Sequence, residues 1–476
     1  MAIVFRVVVV VSFTLLTLFA ISFVMAVSID RSHYVAVAHD AVDGGTLGHS
    51  THLPFAPGTP FFVYNFSDCL TLSMLVLPPR GTTVERALSP LIPAVNAPDG
   101  NAPSGYPSSG QCVTLADLMR GQEIPAGYYH RYLHGPWVLM RVLLALFSFY
   151  VATKLLLLTV CALLAAIAFF AGRAAWLGPP ATQPRAFAFV AISAFVAVFY
   201  ALPVYDRSIS FAASDIVLIG FVLFFYLRPP SSLSEGAFAS AVALFGTLTA
   251  IFESFNGATP AGATVLLGVL ALDAPQARGA VWRRAFIGMS CFLGALALSF
   301  AGKAAAVGIV WGWSEIIEAG GLLAHHAGNV AWDVAPDNAA KLEQFGVSVD
   351  AIKSSRTLTT VYALAKILYF SPLLGLGSLI LGVAITAVLP LFLVTMGIWR
   401  FRHANEHAAR SRELLLFAAA AVMPVWYAVF PSHTIIHAFF MVRPMVWPVA
   451  LLIGGAVLSA TAARSQPSSV AAGHPR

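Results

Sequence analysis

Long runs of apolar residues alternate with polar segments along most of the chain. A helix needs about 20 apolar residues to cross about 30 Å of hydrocarbon, and most of these runs approach that length. We predict spans at residues 5–27, 148–171, 186–204, 211–227, 236–252, 260–274, 284–302, 371–399, 413–430 and 445–462. The pattern therefore predicts an all-α polytopic membrane protein with about ten transmembrane helices. The short runs at 211–227 and 260–274 are compatible with tilted, broken or re-entrant helices.

Two longer polar segments, 28–147 and 303–370, interrupt the apolar runs. The first is rich in Pro, Gly, Asn and Asp, which is typical of turns and loops. It ends in an aromatic and basic stretch, residues 128–147, that predicts an interfacial helix. Apolar spacing over 337–368 predicts one or two amphipathic helices. The predicted organisation is a first helix 1–27, a loop with interfacial helices 28–147, a bundle 148–302, a second polar segment 303–370, a bundle 371–462 and a disordered tail 463–476.

Arginines are distributed unevenly between the loops on the two sides. Short cytoplasmic loops of membrane proteins carry an excess of Lys and Arg. One set of loops and the tail hold Arg173, Arg185, Arg228, Arg278, Arg283, Arg284, Arg400, Arg402, Arg410, Arg412, Arg464 and Arg476. The short loops opposite hold only Arg207 and Arg443. We therefore expect both termini in the cytoplasm and both polar segments outside. The first run follows Arg6 and is interpreted as a retained span, with a cleaved signal peptide as the alternative.

The composition agrees with a membrane protein and argues against several functional classes. Hydrophobic residues make up 59% of the chain and charged residues 10%, whereas a soluble domain has about 25% charged residues. The net charge of +6 comes without a basic cluster interleaved with aromatics, so no nucleic-acid partner is predicted. The chain has no Walker-type loop, no GxGxxG after a strand and no CxxC pair, which argues against an ATP-driven motor.

Two of the four cysteines, Cys69 and Cys112, lie in the first polar segment. Because we place that segment in an oxidising compartment, we predict that they form a disulfide, with two free thiols as the alternative. Cys161 and Cys291 fall in apolar runs and are predicted to be buried thiols.

The stretch from Trp426 to Trp447 contains rare polar residues between two apolar runs. His433 and His437 are four residues apart and would share one face of a helix. Arg443 follows and is itself followed by Pro444, which breaks a helix. Ionisable groups at membrane depth are expensive and usually mark a site, so we expect these three side chains to face a cavity. The alternative is an interfacial loop whose histidines contact lipid headgroups.

Other candidate residues are predicted on the same outer side. Asp30, Asp40 and Asp68 belong to the first polar segment, Asn256 to a short outer turn, and Lys303 follows the seventh span. A carboxylate can act as a general base or bind a metal, and His or Arg can hold a phosphate. Each residue alone is more commonly a solvated loop residue. Their grouping on one side is what suggests a site, and no pattern of metal ligands is present.

The order of these features resembles the C-type superfamily of integral membrane glycosyltransferases. The resemblance is architectural and rests on one retained span, a long outer loop that opens with acidic residues, interfacial helices and many further spans. It implies a bacterial inner-membrane enzyme that transfers a sugar from a polyprenyl-phosphate donor to a glycan, lipid or protein acceptor on the extracytoplasmic face. It leaves room for a divalent cation, to which no residue pattern assigns a position.

The resemblance also implies roles for individual residues. Asp30 matches the catalytic base of the first outer loop, with Asp40, Asp43 and Asp68 as rivals. Asp30 is followed by Arg31, where some members carry a second acidic residue. The carrier phosphate would be bound by basic or polar residues of later outer loops, and the matching positions are His433, His437, Arg443, Asn256 and Lys303.

Three other functions remain open at this point. A transporter or flippase would show a polar path through the bilayer centre, and no repeat of two halves is visible. An acyltransferase could use His433 or His437 as a base. A non-enzymatic assembly subunit would use the polar residues only to tie loops together.

Overall fold

The computed structural model describes most of the chain. The described residues are 1–47, 52–54, 62–64, 66–93, 110–130, 132–199, 208–252, 257–273, 278–317, 320, 343, 348–370, 388–403, 407–436, 441 and 443–465. Helices dominate both the apolar runs and the polar segments.

The first part of the chain begins with one long helix and continues through shorter ones. These are α1 Ala2–Ser28, α2 Arg31–Asp43, α3 Phe66–Val76, α4 Thr83–Leu88, α5 Gly110–Met119 and α6 Gly135–Leu146. The central bundle follows as α7 Phe149–Leu177, α8 Gln183–Phe199, α9 Ala212–Leu227, α10 Glu235–Phe252, α11 Ala258–Ala271 and α12 Arg278–Trp311. The last part consists of α13 Val349–Ser354, α14 Arg356–Phe370, α15 Leu389–His403, α16 His407–Val429, α17 Pro431–Ile436 and α18 Val446–Ser465. Short 3-10 turns cover Pro230–Ser232 and Arg443–Met445.

The helical content agrees with the predicted all-α class, and the described residues add two small antiparallel sheets to it. Strand β1, His52–Pro54, pairs with β2, Phe62–Tyr64. Strand β3, Leu91–Pro93, pairs with β4, Ala126–Tyr128. Each strand has three residues, which is too short for an alternating apolar pattern to identify it in the sequence.

The chain is an integral membrane protein by the length and composition of its helices. Among the described residues, six apolar helices are long enough to cross a bilayer: Ala2–Ser28, Phe149–Leu177, Glu235–Phe252, Gly279–Trp311, Ala409–Val429 and Arg443–Ala462. The other four predicted spans coincide wholly or partly with the shorter helices α8, α9, α11 and α15, which have 14 to 17 residues. Part of the predicted span 371–399 lies outside the described residues.

Helix α11 lies at the centre of the bundle. All of its 14 residues except Thr259 are buried, and it packs against α9, α10, α12, α16 and α18. Small residues permit this close packing. A Cβ atom at Gly268 would lie 2.4 Å from a methyl carbon of Leu451, and one at Gly262 would lie 2.7 Å from the Phe292 ring.

Different side chains form hydrogen bonds with the backbone groups at the two ends of the bundle. At one end, the Arg185 guanidinium donates to the carbonyls of Phe225 and Tyr226, in the last turn of α9. Arg284 donates to the Leu233 carbonyl at the same end. The other end of α9 contacts the first polar segment, because Asp68 accepts hydrogen bonds from the residues that precede the helix. The first polar segment therefore covers the end opposite these two arginines.

The first polar segment has its own packed helices. Helix α2 packs against α3, and α3 packs against α5. The predicted disulfide between Cys69 and Cys112 is present, joins α3 to α5, and has a Cα–Cα distance of 5.0 Å. Cys161 and Cys291 are free thiols, as predicted, although only Cys291 is fully buried. Helix α6 lies within the stretch 128–147, where a helix was predicted, and its interfacial position stays a prediction.

Candidate functional site

A polar cavity of about 450 Å³ lies where the end of α1 meets α2, α4 and α6. Its charged lining consists of Asp30, Arg31, Arg86 and Arg141. Helix α1 ends at Ser28, and Asp30 then occupies the N-cap position of α2, with an extended backbone. The break between the two helices therefore places Asp30 at the cavity. One carboxylate faces three guanidinium groups there, a charge balance that favours an anionic ligand.

Asp30 is exposed and ionised at neutral pH. The Ser32 hydroxyl donates to its Oδ2 at 2.7 Å. This hydrogen bond is the main reason that the pKa of Asp30 is lowered below its ordinary value. An ionised carboxylate at the rim of a cavity can accept a proton or orient a hydroxyl group.

Two arginines of the cavity have donors that no group satisfies. Arg141 is 8% exposed, and its Nε and Nη1 have no hydrogen-bond partner among the described residues. Its guanidinium lies 4.9 Å from the centre of the Trp137 ring, one helical turn earlier on α6. Arg86 donates through Nη2 to Thr83, while its buried Nε has no partner in the part of the chain that the structure describes. Buried charged donors without a partner are costly, so their presence around one cavity points to an anion that binds there.

An apolar groove of about 330 Å³ adjoins this cavity. Its walls include the Leu15–Phe19 part of α1 and the Gly302–Ala306 part of α12, and the lining residue Leu16 is 66% exposed on the outer surface of α1. Trp137 lines both the groove and the polar cavity. The groove thus connects the membrane-facing surface to the region of the arginines.

Lys303 connects the two cavities. It lines the apolar groove and donates to the Leu88 carbonyl and to Ser89 Oγ, the latter at 2.8 Å. Ser89 in turn lines the polar cavity. Lys303 is 8% exposed and pairs with no carboxylate among the described residues. A buried ammonium of this kind suits the negatively charged end of an apolar molecule.

The predicted cluster of His433, His437 and Arg443 is arranged differently from our expectation. Arg443 Nη2 lies 2.6 Å from Asp215 Oδ2, and both side chains are buried. The carboxylate that contacts Arg443 therefore comes from the first turn of α9 and not from Asp30 or Asp68. His433 is buried in α17, and neither it nor Arg443 lines the two cavities. His437 and Asn256 lie outside the described residues.

Asp68 is fully buried and contacts the backbone that leads into α9. Its Oδ1 accepts hydrogen bonds from the amides of Ile209 and Ser210 and from the Ser210 hydroxyl, at 2.8 to 3.1 Å. Burial raises the pKa of Asp68, and the hydrogen bonds from the serines oppose that shift. Asp40 is exposed on α2 and, like Asp68, does not line either cavity.

Sequence reasoning missed Arg86, Arg141 and Ser89 as site residues. Arg141 and Trp137 belong to the stretch that predicts an interfacial helix, and their spacing of four residues places them on one helix face. For Arg86 and Ser89 the sequence offers no comparable signal, because a tertiary contact brings them to the cavity.

The described residues include no group of three or more His, Cys, Asp or Glu side chains that could hold a metal ion. Comparison with protein families, curated proteins and solved structures found no match.

Proposed function

We propose that the protein is a membrane-embedded glycosyltransferase that moves a sugar from a polyprenyl-phosphate donor to a glycan, lipid or protein acceptor. In this proposal ten helices cross a bacterial plasma membrane, both termini are cytoplasmic, and the reaction occurs on the extracytoplasmic face. One observation carries it: an apolar groove with an exposed wall leads to a polar cavity. That cavity contains Asp30 and buried arginine donors that no other described residue satisfies.

The two cavities match the two parts of such a donor. The isoprenoid chain occupies the apolar groove beside α1, where burial of apolar area supplies binding free energy. The phosphate lies between Lys303 and the arginines Arg86 and Arg141, whose planar guanidinium groups suit phosphate oxygens.

Asp30 is the base in this reaction. It accepts the proton of an acceptor hydroxyl as the hydroxyl oxygen forms a bond to the anomeric carbon of the sugar. The bond between that carbon and the phosphate oxygen breaks, and the electron pair leaves with the phosphate. Arg86, Arg141 and Lys303 stabilise the negative charge that develops on the leaving group.

This assignment changes some of the roles that the resemblance implied. Lys303 keeps its predicted phosphate-binding role. Asp30 is chosen over Asp40, Asp43 and Asp68 because it alone of the four lines the polar cavity. Arg443 pairs with Asp215 and is assigned a structural role. His433, His437 and Asn256 are not used. No divalent cation is included, since Asp30 is the one carboxylate among the described cavity residues.

The test uses the full chain in liposomes with radiolabelled polyprenyl-phosphate sugars and a membrane extract that supplies glycan, lipid and protein acceptors. We expect label to move from the donor lipid into an acceptor. Asp30→Asn should lower the rate by about 10²–10⁴-fold, the usual contribution of a general base. Asp43→Asn, an exposed change on the same helix α2, is the matched control and should leave the rate unchanged.

Two outcomes would overturn the proposal. One is transfer that survives Asp30→Asn but is lost in Asp40→Asn or Asp68→Asn. The other is movement of intact donor lipid between the leaflets without chemical transfer, which would establish a flippase.

A further inference from the structure

A chain of four polar side chains runs from the apolar groove to the protein surface. Lys303 Nζ lies 2.8 Å from Ser89 Oγ, and Ser89 Oγ lies 2.9 Å from His130 Nδ1. On the far side of the ring, His130 Nε2 lies 3.7 Å from Glu315 Oε2. The His130 side chain is 6% exposed and that of Glu315 is 42% exposed. The chain therefore links a buried cation to an anion at the surface.

The small sheet of β3 and β4 creates the central pair of this chain. Leu91 lies opposite Tyr128 in the sheet, and the Tyr129 amide donates to the Pro90 carbonyl. The same register, continued by one further pair, places Ser89 opposite His130. The ring of Trp311, the last residue of α12, packs 4.5 Å from that of His130. The polypeptide then turns at Gly312, whose φ of +102° suits glycine, before it reaches Glu315.

The donors and acceptors of the chain fit together in only one direction when His130 is neutral. An ammonium group has donors only, so Ser89 Oγ accepts from Lys303. A carboxylate opposite Nε2 favours a proton on that nitrogen, because two acceptors would otherwise face each other. Nδ1 of neutral His130 is then an acceptor, and it accepts a hydrogen bond from the Ser89 hydroxyl. The Ser89 lone pairs are thereby directed toward Lys303.

We infer that His130 is a positioning residue that, through Ser89, fixes the Lys303 ammonium where the phosphate of an isoprenoid phosphomonoester or phosphodiester binds. The inference deepens the proposed function and rests on it for the class of ligand. His130 does not line either cavity and reaches Lys303 through Ser89. Glu315 supports the arrangement by selecting the tautomer of His130.

Binding of farnesyl phosphate to the purified full chain in detergent tests this inference, with farnesol as the uncharged reference. Lys303→Met should weaken farnesyl phosphate binding by about 100-fold. His130→Ala should weaken it by about tenfold, since a hydrogen bond that orients a charged group is lost. His130→Asn places an amide oxygen near the position of Nδ1 and should restore binding to within about threefold of the parent.

The controls separate positioning from folding and from catalysis. His39→Ala, on α2 in the same segment, should leave binding unchanged. None of the variants should change farnesol binding, because the apolar groove stays intact. Asp30→Asn should lose sugar transfer but bind farnesyl phosphate at least as tightly as the parent, because it removes a negative charge from the cavity. A failure of sugar transfer is therefore distinguishable from a failure of this inference.

Three results would overturn the inference. They are unchanged farnesyl phosphate affinity in His130→Ala, a parallel loss of farnesol binding in that variant, and a His130→Asn variant as weak as His130→Ala. Absence of farnesyl phosphate binding by the parent protein would also overturn it.

Discussion

Removal of Arg443 should destabilise the folded protein strongly. In Arg443→Met, Asp215 keeps its buried carboxylate but loses the guanidinium 2.6 Å away. The side chains of Arg443 and Asp215 are only 10% and 9% exposed, so water cannot replace the lost partner. Breaking a buried ion pair from one side costs about 3–5 kcal/mol. The guanidinium also lies 5.3 Å from the centre of the Phe211 ring, a contact that methionine cannot reproduce.

A double-mutant cycle with Asp215→Leu isolates the pair. Each single variant should lower the free energy of unfolding by about 3–5 kcal/mol. The loss in the double variant should be smaller than the sum of the two single losses by at least about 2 kcal/mol. The measurement is reversible unfolding in mixed detergent micelles, followed by tryptophan fluorescence.

The exposed pair Arg283–Glu235 is a matched control. Its atoms lie 2.9 Å apart, but the side chains are 68% and 40% exposed. Arg283→Met should therefore cost no more than about 1 kcal/mol. If Arg443→Met costs no more than Arg283→Met, the Arg443–Asp215 pair does not stabilise the fold as we expect. The same conclusion follows if the effects of Arg443→Met and Asp215→Leu are additive in the double variant.

Two further predictions concern the first polar segment. Replacing Cys69 and Cys112 together by Ser should lower the free energy of unfolding by about 4 kcal/mol, as expected for a cross-link over 43 residues. The control Cys161→Ser changes a free thiol and should have little effect. Equal melting curves for the double variant and the parent would contradict this prediction. Because burial raises the pKa of Asp68, the folded state holds its proton more tightly than the unfolded state does, and stability should fall as the pH rises from the ordinary value of 3.8 through the raised pKa. Asp68→Asn, which keeps an oxygen for the amides of Ile209 and Ser210, should remove that slope, and an unchanged slope in pH-dependent unfolding would show that Asp68 is not its source.

The membrane helices could be predicted from the sequence because hydropathy alone specifies them. The run 148–171, for example, becomes α7 with its boundary moved by a few residues. The same reasoning found the disulfide, since Cys69 and Cys112 are the only cysteines in the first polar segment. The choice of Asp30 came instead from the resemblance, and the residue does line the polar cavity. Its role as a base stays a prediction.

The partner of each charged residue could not be predicted in the same way. Arg443 and Asp215 are 228 residues apart in sequence, and Asp215 gave no signal beyond its place near the end of a span. The pairing of Ser89 with His130 depends on strands of three residues, which are too short for an alternating apolar pattern to identify them in the sequence. Pairwise contacts of this kind depend on the packing of helices, which hydropathy does not encode.

The enclosed position of α11 has a consequence for how the protein is made. During synthesis this helix leaves the ribosome before α16 and α18 exist, although both cover it in the finished structure. With 14 residues rich in Ala, Gly and Thr, it is too short to cross hydrocarbon unaided and has polar side chains for which lipid offers no partner. The helices made before or just after it, α9, α10 and α12, must therefore pack against it until α16 and α18 are synthesised. A chain truncated after α12 would leave one side of α11 uncovered, which is a surface that membrane quality-control proteases can recognise.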